Sequence, residues 1–437
     1  MKLQKLATTA IVALAVIVTL SATAPGFAST STGASGSVSK DLGTKKITLT
    51  IDGDAGAIGV VKQLAPGFEK LHPNVTIKTG GTGFKDYYKQ LPLLLKSTSS
   101  PDLVAVPAVT NLVKDHLLYN LTPYVSLYHW NKIYSAGQLG DYSVGKNLTS
   151  LGGSETIAVP GGYYVVGIYW NKKLAAQAGI TSAPTTFADF ESDLAKAKAA
   201  GELPIQLGNT DGSAQWILQE ASQSFAGSDK IRNWIWGTPG STIDLPGVTK
   251  AATTLADWVT AGYTPTPSQI NGQSGEDAAG KFAAGVGVFL FSGNWDATNI
   301  GKALNTDAGY FTFPGPKGVA PVGSSALGVS AKTKNPNAAA AFLNYFHSAK
   351  ASQVFFDNGL IPQNVSSLKP ATNAVTNDIA RAFAKVHADN GSVPALSNAT
   401  PSGLDVLTKN LSDLMAGNIT VATFISNLQA NWQQTNR

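Results

Sequence analysis

The chain has 437 residues, of which 43% are apolar and only 14% charged, against about 25% charged in an ordinary soluble domain. That length allows two domains with sizeable cores, and the shortage of charge leaves Ser, Thr, Asn, Gln and Gly to cover the surface, as suits a secreted protein. The net charge is +5, the lysines are scattered and cysteine is absent, so nucleic-acid binding, disulfides, thiolate catalysis and Cys-ligated zinc drop out.

At the N-terminus, Lys2 and Lys5 precede an uncharged stretch from Leu6 to Ala24, and Gly26-Phe27-Ala28 puts small residues where a signal peptidase reads. Residues 1–28 therefore read as a secretory signal peptide. The competing reading is an uncleaved anchor, because the apolar stretch is nearly the ~20 residues that span a bilayer. Both readings place the folded part outside the cytoplasm, periplasmic or at the cell surface. With no Cys for lipidation, it is not expected to be a lipoprotein. Residues 29–43, rich in Ser, Thr and Gly, read as a flexible linker.

Folded sequence begins near Lys45. Ile47, Leu49 and Ile51 alternate with polar residues, which predicts a strand ending at Gly53-Asp54. Val61, Leu64, Phe68 and Leu71 then recur at helical spacing, with a kink expected at Pro66 and a stop at His72-Pro73. Val75–Ile77 starts the next strand, completing a parallel βαβ unit. A helix is expected over Asp86–Lys96 with Pro92 near its start, then a strand at Leu103–Val106. Further on, strand Val165–Ile168 leads through Trp170-Asn171-Lys172 into a helix, and Thr186 to Asp189 caps another. An apolar strand ends at Gly293-Asn294-Trp295, and a Pro/Gly-rich crossing follows. The alternation predicts an α/β chain with mainly parallel sheets flanked by helices, in which ligands bind at the carboxyl ends of strands.

From Lys45 to the C-terminus the chain resembles the family 1 extracellular solute-binding proteins of ABC importers, the maltose-binding protein group. The resemblance rests on pieces that occur in the family's order. They include Gly53-Asp54, Phe68-Glu69-Lys70 with His72-Pro73, Pro101-Asp102 and Trp170-Asn171-Lys172. Pro184 to Phe187, Gly293-Asn294-Trp295, Pro314-Gly315-Pro316, Asn335-Pro336 and Gly359 to Pro362 follow. It implies a two-lobed, periplasmic-binding-protein-like fold with a multi-strand hinge. The N-terminal lobe is expected from 44–122 plus 315–362 and the C-terminal lobe from 123–314 plus 363–437. Crossings are placed near Leu121–Tyr124, Phe313–Pro316 and Ile361–Gln363. It also implies a monomer that captures a carbohydrate ligand by hinge closure and delivers it to ABC transporter permease subunits, with no cofactor and no bond broken.

Sugars present CH faces to aromatic rings and hydroxyl edges to carboxylates and amides. Trp295 and Trp216 match stacking positions of the family, although either could pack within its own lobe. Asn294 and Asp296 flank Trp295 and are candidate hydroxyl readers. Asp54 matches a hydroxyl-binding acid and would equally serve as a helix N-cap. Tyr164 stands where the family often has an acid. Ser324 lies in a Gly-Ser-Ser run that lets backbone approach a ligand, and Asp86 and Tyr87 open a helix expected to border the cleft. Gln215 and Ser213 are weaker candidates, while Trp234 and Trp236 read as core. Two departures leave maltodextrin specificity unsupported. Val104 to Val109 lacks the family's aromatic and acid, and a family aromatic is replaced around Gly403–Leu404.

Two other readings stay open. One is a non-sugar solute such as glycerol phosphate or a peptide, though Arg232, Arg381 and Arg437 are the only arginines available for a phosphate. The other is an extracellular glycosidase using Asp54 and Asp296 as its carboxylate pair. The five His show no metal-binding spacing, and Gly80-Gly81-Thr82-Gly83 lacks the Lys-Ser/Thr of a phosphate loop.

Overall fold

A computed structural model of the chain describes residues 38–106, 112–113, 115–145, 151–366, 368–371 and 373–436. The expected signal segment and most of the linker lie outside these residues. So does residue 107 onward in the run from Val104 to Val109, and the side chains of Phe84, Lys85, Asp86, Tyr88 and Lys89 are likewise not described. Among the described residues no helix is long and apolar enough to cross a membrane.

The described strands run in chain order as β1 (Ile47–Asp54), β2 (Val75–Thr82), β3 (Leu103–Val106), β4 (Ser143–Val144), β5 (Glu155–Thr156), β6 (Ala158–Val159) and β7 (Tyr163–Asn171). They continue as β8 (Ile205–Gln206), β9 (Phe289–Gly293), β10 (Ala308–Phe311), β11 (Ala320–Ser324), β12 (Ala326–Val329) and β13 (Ser392–Val393). One sheet has the order β2-β1-β3-β12-β6, and the other β13-β11-β7-β9-β8 with β10 beside the far half of β7. Strands β4 and β5 form a separate ribbon.

The βαβ unit is where the alternation placed it. β1 pairs in parallel with β2, from Ile47 opposite Val75 to Asp54 opposite Thr82, and with β3 on its other side. Helix α1 (Ala55–Leu71) lies between them, continuing through Pro66 and burying Val61, Leu64 and Phe68. Helix α2 (Phe84–Lys96) begins two residues earlier than expected, and Pro92 sits inside it rather than near its start. The face made by Tyr87, Leu91 and Leu95, each at most 2% exposed, carries the helix past the backbone bond that Pro92 cannot make.

The sheets are mixed rather than mainly parallel. β12 is antiparallel to both β3 and β6, and β7 is antiparallel to β9, β10 and β11. The reason lies in the crossings. β6 of the first sheet runs through Pro160–Gly162 straight into β7 of the second, and β11 of the second runs through Ser325 into β12 of the first. A strand arriving from the other lobe enters against the direction of its neighbours. A third passage lies beside these, where Ile361 and Tyr163 exchange both backbone hydrogen bonds, at 2.7 and 3.0 Å. The strands approach closely because residues 161 and 162 are glycines. A Cβ on Gly161 would lie 2.6 Å from the Ser325 carbonyl oxygen, and one on Gly162 would lie 2.6 Å from Leu360 Cβ.

Two segments expected near crossings, Leu121–Tyr124 and Phe313, lie within the cores. Leu121–Tyr124 belongs to the first core: Leu121 and Tyr124 are buried, and the Tyr124 hydroxyl donates to Asn337 Oδ1 at 2.6 Å. The chain stays with the first lobe through Trp130, whose Nε1 donates to Asn344 Oδ1, and on to β6. Phe313 belongs to the second core, in a ring cluster with Phe187, Phe190, Phe225 and Phe291. The first core gathers Leu49, Ile51, Phe68, Leu103 and Phe342, and the second Phe190, Ile217, Leu255 and Phe289. The first cluster also continues past the crossing to Tyr169, Leu290 and Tyr310 of the second sheet, each large buried side chain contributing roughly 1.5–3 kcal/mol.

Candidate functional site

The floor of the candidate site is the start of β7, immediately after the crossing. Tyr164 is opposite Gly323 of β11, and Val166 is opposite Gly293 of β9. Directly opposed residues point to the same side, as do residues two apart on one strand. Tyr164, Val166 and the Cα hydrogen of Gly293 therefore share one face. Chain beyond Gly293 turns in a short 3₁₀ segment, Asn294–Asp296, and the Trp295 ring folds back over that face. Trp216, in the first turn of helix Gln215–Ala226, meets it with ring centroids 6.0 Å apart and planes inclined at 53°.

Exposure decides the importance of this cluster. Trp295 is 46% exposed and Tyr164 40%, and they are the only exposed aromatic residues among those described. The other lobe enters through Asp54, at the carboxyl end of β1. Burial pushes the Tyr164 phenol pKa up, and the Asp54 charge adds to the rise. Trp216, Trp295 and Tyr164 thus lie together beside the crossing.

The structure gives the other candidates different work. Asn294 is 3% exposed and committed to backbone. Its Oδ1 accepts from Val165 N at 2.8 Å, and its Nδ2 donates to the carbonyls of Tyr163 at 3.1 Å and Gly359 at 2.5 Å. It staples the turn to β7 and to the third passage rather than presenting polar atoms to a ligand. Tyr87 faces inward, 2% exposed, with its hydroxyl 3.0 Å from the Asp52 carbonyl and 3.1 Å from that of Ala105. Helical register turns it away from the cleft, and burial raises its pKa far above the usual phenol value. The Asp86 side chain lies outside the described residues. Asp54 caps α1, its Oδ1 accepting from Gly56 N and Ala57 N at 2.9 and 3.1 Å, so the capping role is real alongside its place by Tyr164.

Ser324 Oγ lies 2.8 Å from the hydroxyl of the buried Tyr142, next to the crossing at Ser325. Asp296 is 9% exposed and accepts from Ser292 Oγ at 2.5 Å. Burial raises its pKa, and the nearby charges of Glu276 and Asp211 add to the rise. Those two acids were not singled out in the sequence, and no local pattern marks them. They come from separate loops, where Asp211 accepts from Gly275 N at the start of helix Gly275–Ala283. Gln215 is buried with its Oε1 accepting from Ser397 N, and Ser213 is half-buried. Trp234 is core, stacked near Trp432, and Trp236 donates to Asp141 at 2.8 Å. Leu404, at 45% exposure, lies over Gly212 beside the start of the Trp216 helix. It continues the apolar rim where the sequence departs from the resemblance. Among the described residues no group of three His, Cys, Asp or Glu could hold a metal.

Residues 51–353 match the family described as bacterial extracellular solute-binding protein. The chain belongs to this family. It is 26% identical over 343 residues to the multiple sugar-binding protein of Streptococcus mutans serotype c, covering 75% of this chain and 77% of that one. It is 29% identical over 248 residues to the diacetylchitobiose binding protein DasA of Streptomyces coelicolor, covering 52% and 54%. Among solved structures, a chitin oligosaccharide binding protein aligns over 90% of this chain and 99% of its own, with a TM-score of 0.68 and 21% identity. The solute receptor AcbH aligns over 91% and 100%, with a TM-score of 0.72 and 18% identity. The structural likenesses establish the two-lobed fold.

Proposed function

We propose that this solute-binding protein is the extracytoplasmic receptor of an ABC importer and captures a sugar or oligosaccharide between its lobes. One observation carries the reading: the only exposed aromatic side chains among the described residues, Trp295 and Tyr164, share one sheet face at the interlobe crossing, with Trp216 beside them. Such rings cover the CH faces of a pyranose, and a neighbouring carboxylate such as Asp54 accepts from its hydroxyls. Relatives that bind multiple sugars and diacetylchitobiose support a carbohydrate solute over glycerol phosphate or a peptide.

Closure would rotate the lobes about Pro160–Gly162, Ser325 and the passage at Leu360–Gln363, bringing Asp54 and the Trp pair onto one ligand. The closed receptor, a monomer without a cofactor, would then dock on permease subunits at the membrane after residues 1–28 are removed. No bond is broken: Asp54 is engaged in capping α1 and Asp296 in binding Ser292, which supports binding rather than glycoside hydrolysis. Calorimetric titration of the mature protein and of Trp295→Ala with N,N′-diacetylchitobiose and maltotriose, alongside small-angle scattering, tests the reading. A bound sugar should lower the radius of gyration, and the variant should bind it at least about tenfold more weakly. Equal affinity in the variant would remove the site.

A further inference from the structure

The turn that carries Trp295 is built from four consecutive residues, Gly293-Asn294-Trp295-Asp296, and the structure gives each a separate part in holding one ring. A Cβ on Gly293 would lie 2.2–2.4 Å from Cζ3, Cε3 and Cη2 of Trp295. The six-membered part of the indole therefore rests directly on the Gly293 backbone, in space that any other residue would fill. The backbone of Gly293 has φ −95°, open to every L-residue, so the glycine serves the ring and not the turn. Asn294 pins the turn to β7 and to Gly359 through its three backbone hydrogen bonds. The edge of the ring is bounded by Trp216.

Asp296 completes the arrangement. Its Oδ2 accepts from Ser292 Oγ at 2.5 Å, so the bond closes the turn on both sides of Gly293, Asn294 and Trp295. Ser292 is 6% exposed and Asp296 9%, so this contact is sheltered from water, while the ring it holds is 46% exposed. An exposed Trp would ordinarily sample several rotamers. This one rests on Gly293, meets the Trp216 ring, and springs from a turn that the Ser292–Asp296 bond closes.

We infer that Asp296, fixed by Ser292, and Gly293 are positioning residues that hold the Trp295 indole as a preset stacking platform before any ligand arrives, and that Asp296 does not itself bind the solute. The inference rests on the proposed carbohydrate site, but its first consequence is visible in the ligand-free protein. Preorganisation of this kind lowers the ordering cost of binding, since the ring needs no fixing when the ligand lands.

The test uses the mature chain with Asp296→Ala, Asp296→Asn and Gly293→Ala. Acrylamide quenching of Trp295 emission, isolated by difference against Trp295→Phe, reads the ring without ligand. Asp296→Ala and Gly293→Ala should change that quenching, and Asp296→Asn, which keeps an acceptor oxygen, should recover most of it. Circular dichroism and thermal unfolding show that each variant is folded. A purely structural Asp296 would leave the Trp295 signal alone, and an unchanged signal in folded Asp296→Ala and Gly293→Ala would overturn the inference.

The second arm uses a sugar that the wild type binds in the titrations above. Asp296→Ala should weaken binding about tenfold in the wild-type background and have little further effect once Trp295 is Ala, because the residue acts through the ring. Additive losses in the double variant would show that Asp296 meets the solute itself and would contradict the inference. If the wild type binds no sugar, the carbohydrate reading fails while the quenching arm still decides the platform.

Discussion

Asn294→Asp is the sharpest perturbation the structure offers, because the two side chains have the same shape and differ in what they can donate. The remaining oxygen still accepts from Val165 N, now at 2.8 Å. The other position changes from a donor serving two carbonyls, Tyr163 at 3.1 Å and Gly359 at 2.5 Å, to an oxygen facing both. The partly buried Gly359 carbonyl loses its donor at about 1–3 kcal/mol, while the Tyr163 carbonyl keeps the bond from Ile361 N at 3.0 Å. A carboxylate is also placed at a site 3% exposed with no cation among its hydrogen-bond partners. Uncompensated buried charge costs about 3–5 kcal/mol where it has been measured by breaking pairs. Taking about 3–5 kcal/mol for the whole, and about 2–4 °C per kcal/mol for a lobe of this size, Tm should fall by about 6–20 °C at pH 8. The gap to wild type should narrow toward pH 4, where the new acid takes a proton and can donate to one carbonyl again. Differential scanning calorimetry across this range measures it. A variant as stable as wild type at pH 8 would refute the argument that Asn294 is a backbone staple.

Two pH effects oppose each other. Burial raises Asp141, which accepts from Trp236 Nε1 at 2.8 Å, from 3.8 to about 8. Its proton is favoured in the fold, so its stability contribution is full below pH 3.8 and declines as pH rises toward 8. Asp141→Asn should therefore remove the fall in Tm that this group causes between about pH 4 and 8. His347 has both ring nitrogens buried without a partner and is lowered from 6.5 to about 4. The neutral ring is favoured, so stability is full above pH 6.5 and declines as pH falls toward 4. His347→Phe, which keeps the edge contact with Tyr134, should flatten the acid side in the same measurement. Glu220 is fully buried with neither carboxyl oxygen hydrogen-bonded in the protein, and burial raises its pKa well above the usual carboxyl range. Glu220→Met should raise the urea midpoint at pH 8, and a lower midpoint would show that the acid has a stabilising partner.

Much of the first lobe can be read directly from its residues. Ile47, Leu49 and Ile51 alternate, Leu64 and Phe68 follow at helical spacing, and β1, α1 and β2 form where these patterns point. Two of the three passages are not legible in the sequence, while the passage at Ile361 coincides with an expected crossing. Pro160–Gly162 and Ser325 are short links between strands, and β6 has only two residues, too few for any periodicity. Their role depends on pairing with segments far along the chain, which also sets the mixed strand directions. The site divides in the same way. Trp295, Trp216 and Tyr164 are candidates from the sequence alone, and the structure sets them side by side. Asn294 and Tyr87 read as cleft residues in the sequence because polar and phenolic groups at strand and helix ends suit a ligand. Their partners, Gly359 for one and Ala105 for the other, become visible only once the chain is folded.

The central claim is that the cleft holds a carbohydrate and releases it unchanged. Thermal unfolding of the mature protein against neutral mono- and oligosaccharides, with a peptide and glycerol phosphate as controls and chromatography of each sugar afterwards, addresses it directly. One class of sugar at a hundred times its Kd should add about 2.7 kcal/mol of stability and be recovered intact. No shift with any sugar, a shift only with the controls, or a sugar converted to products would contradict the account.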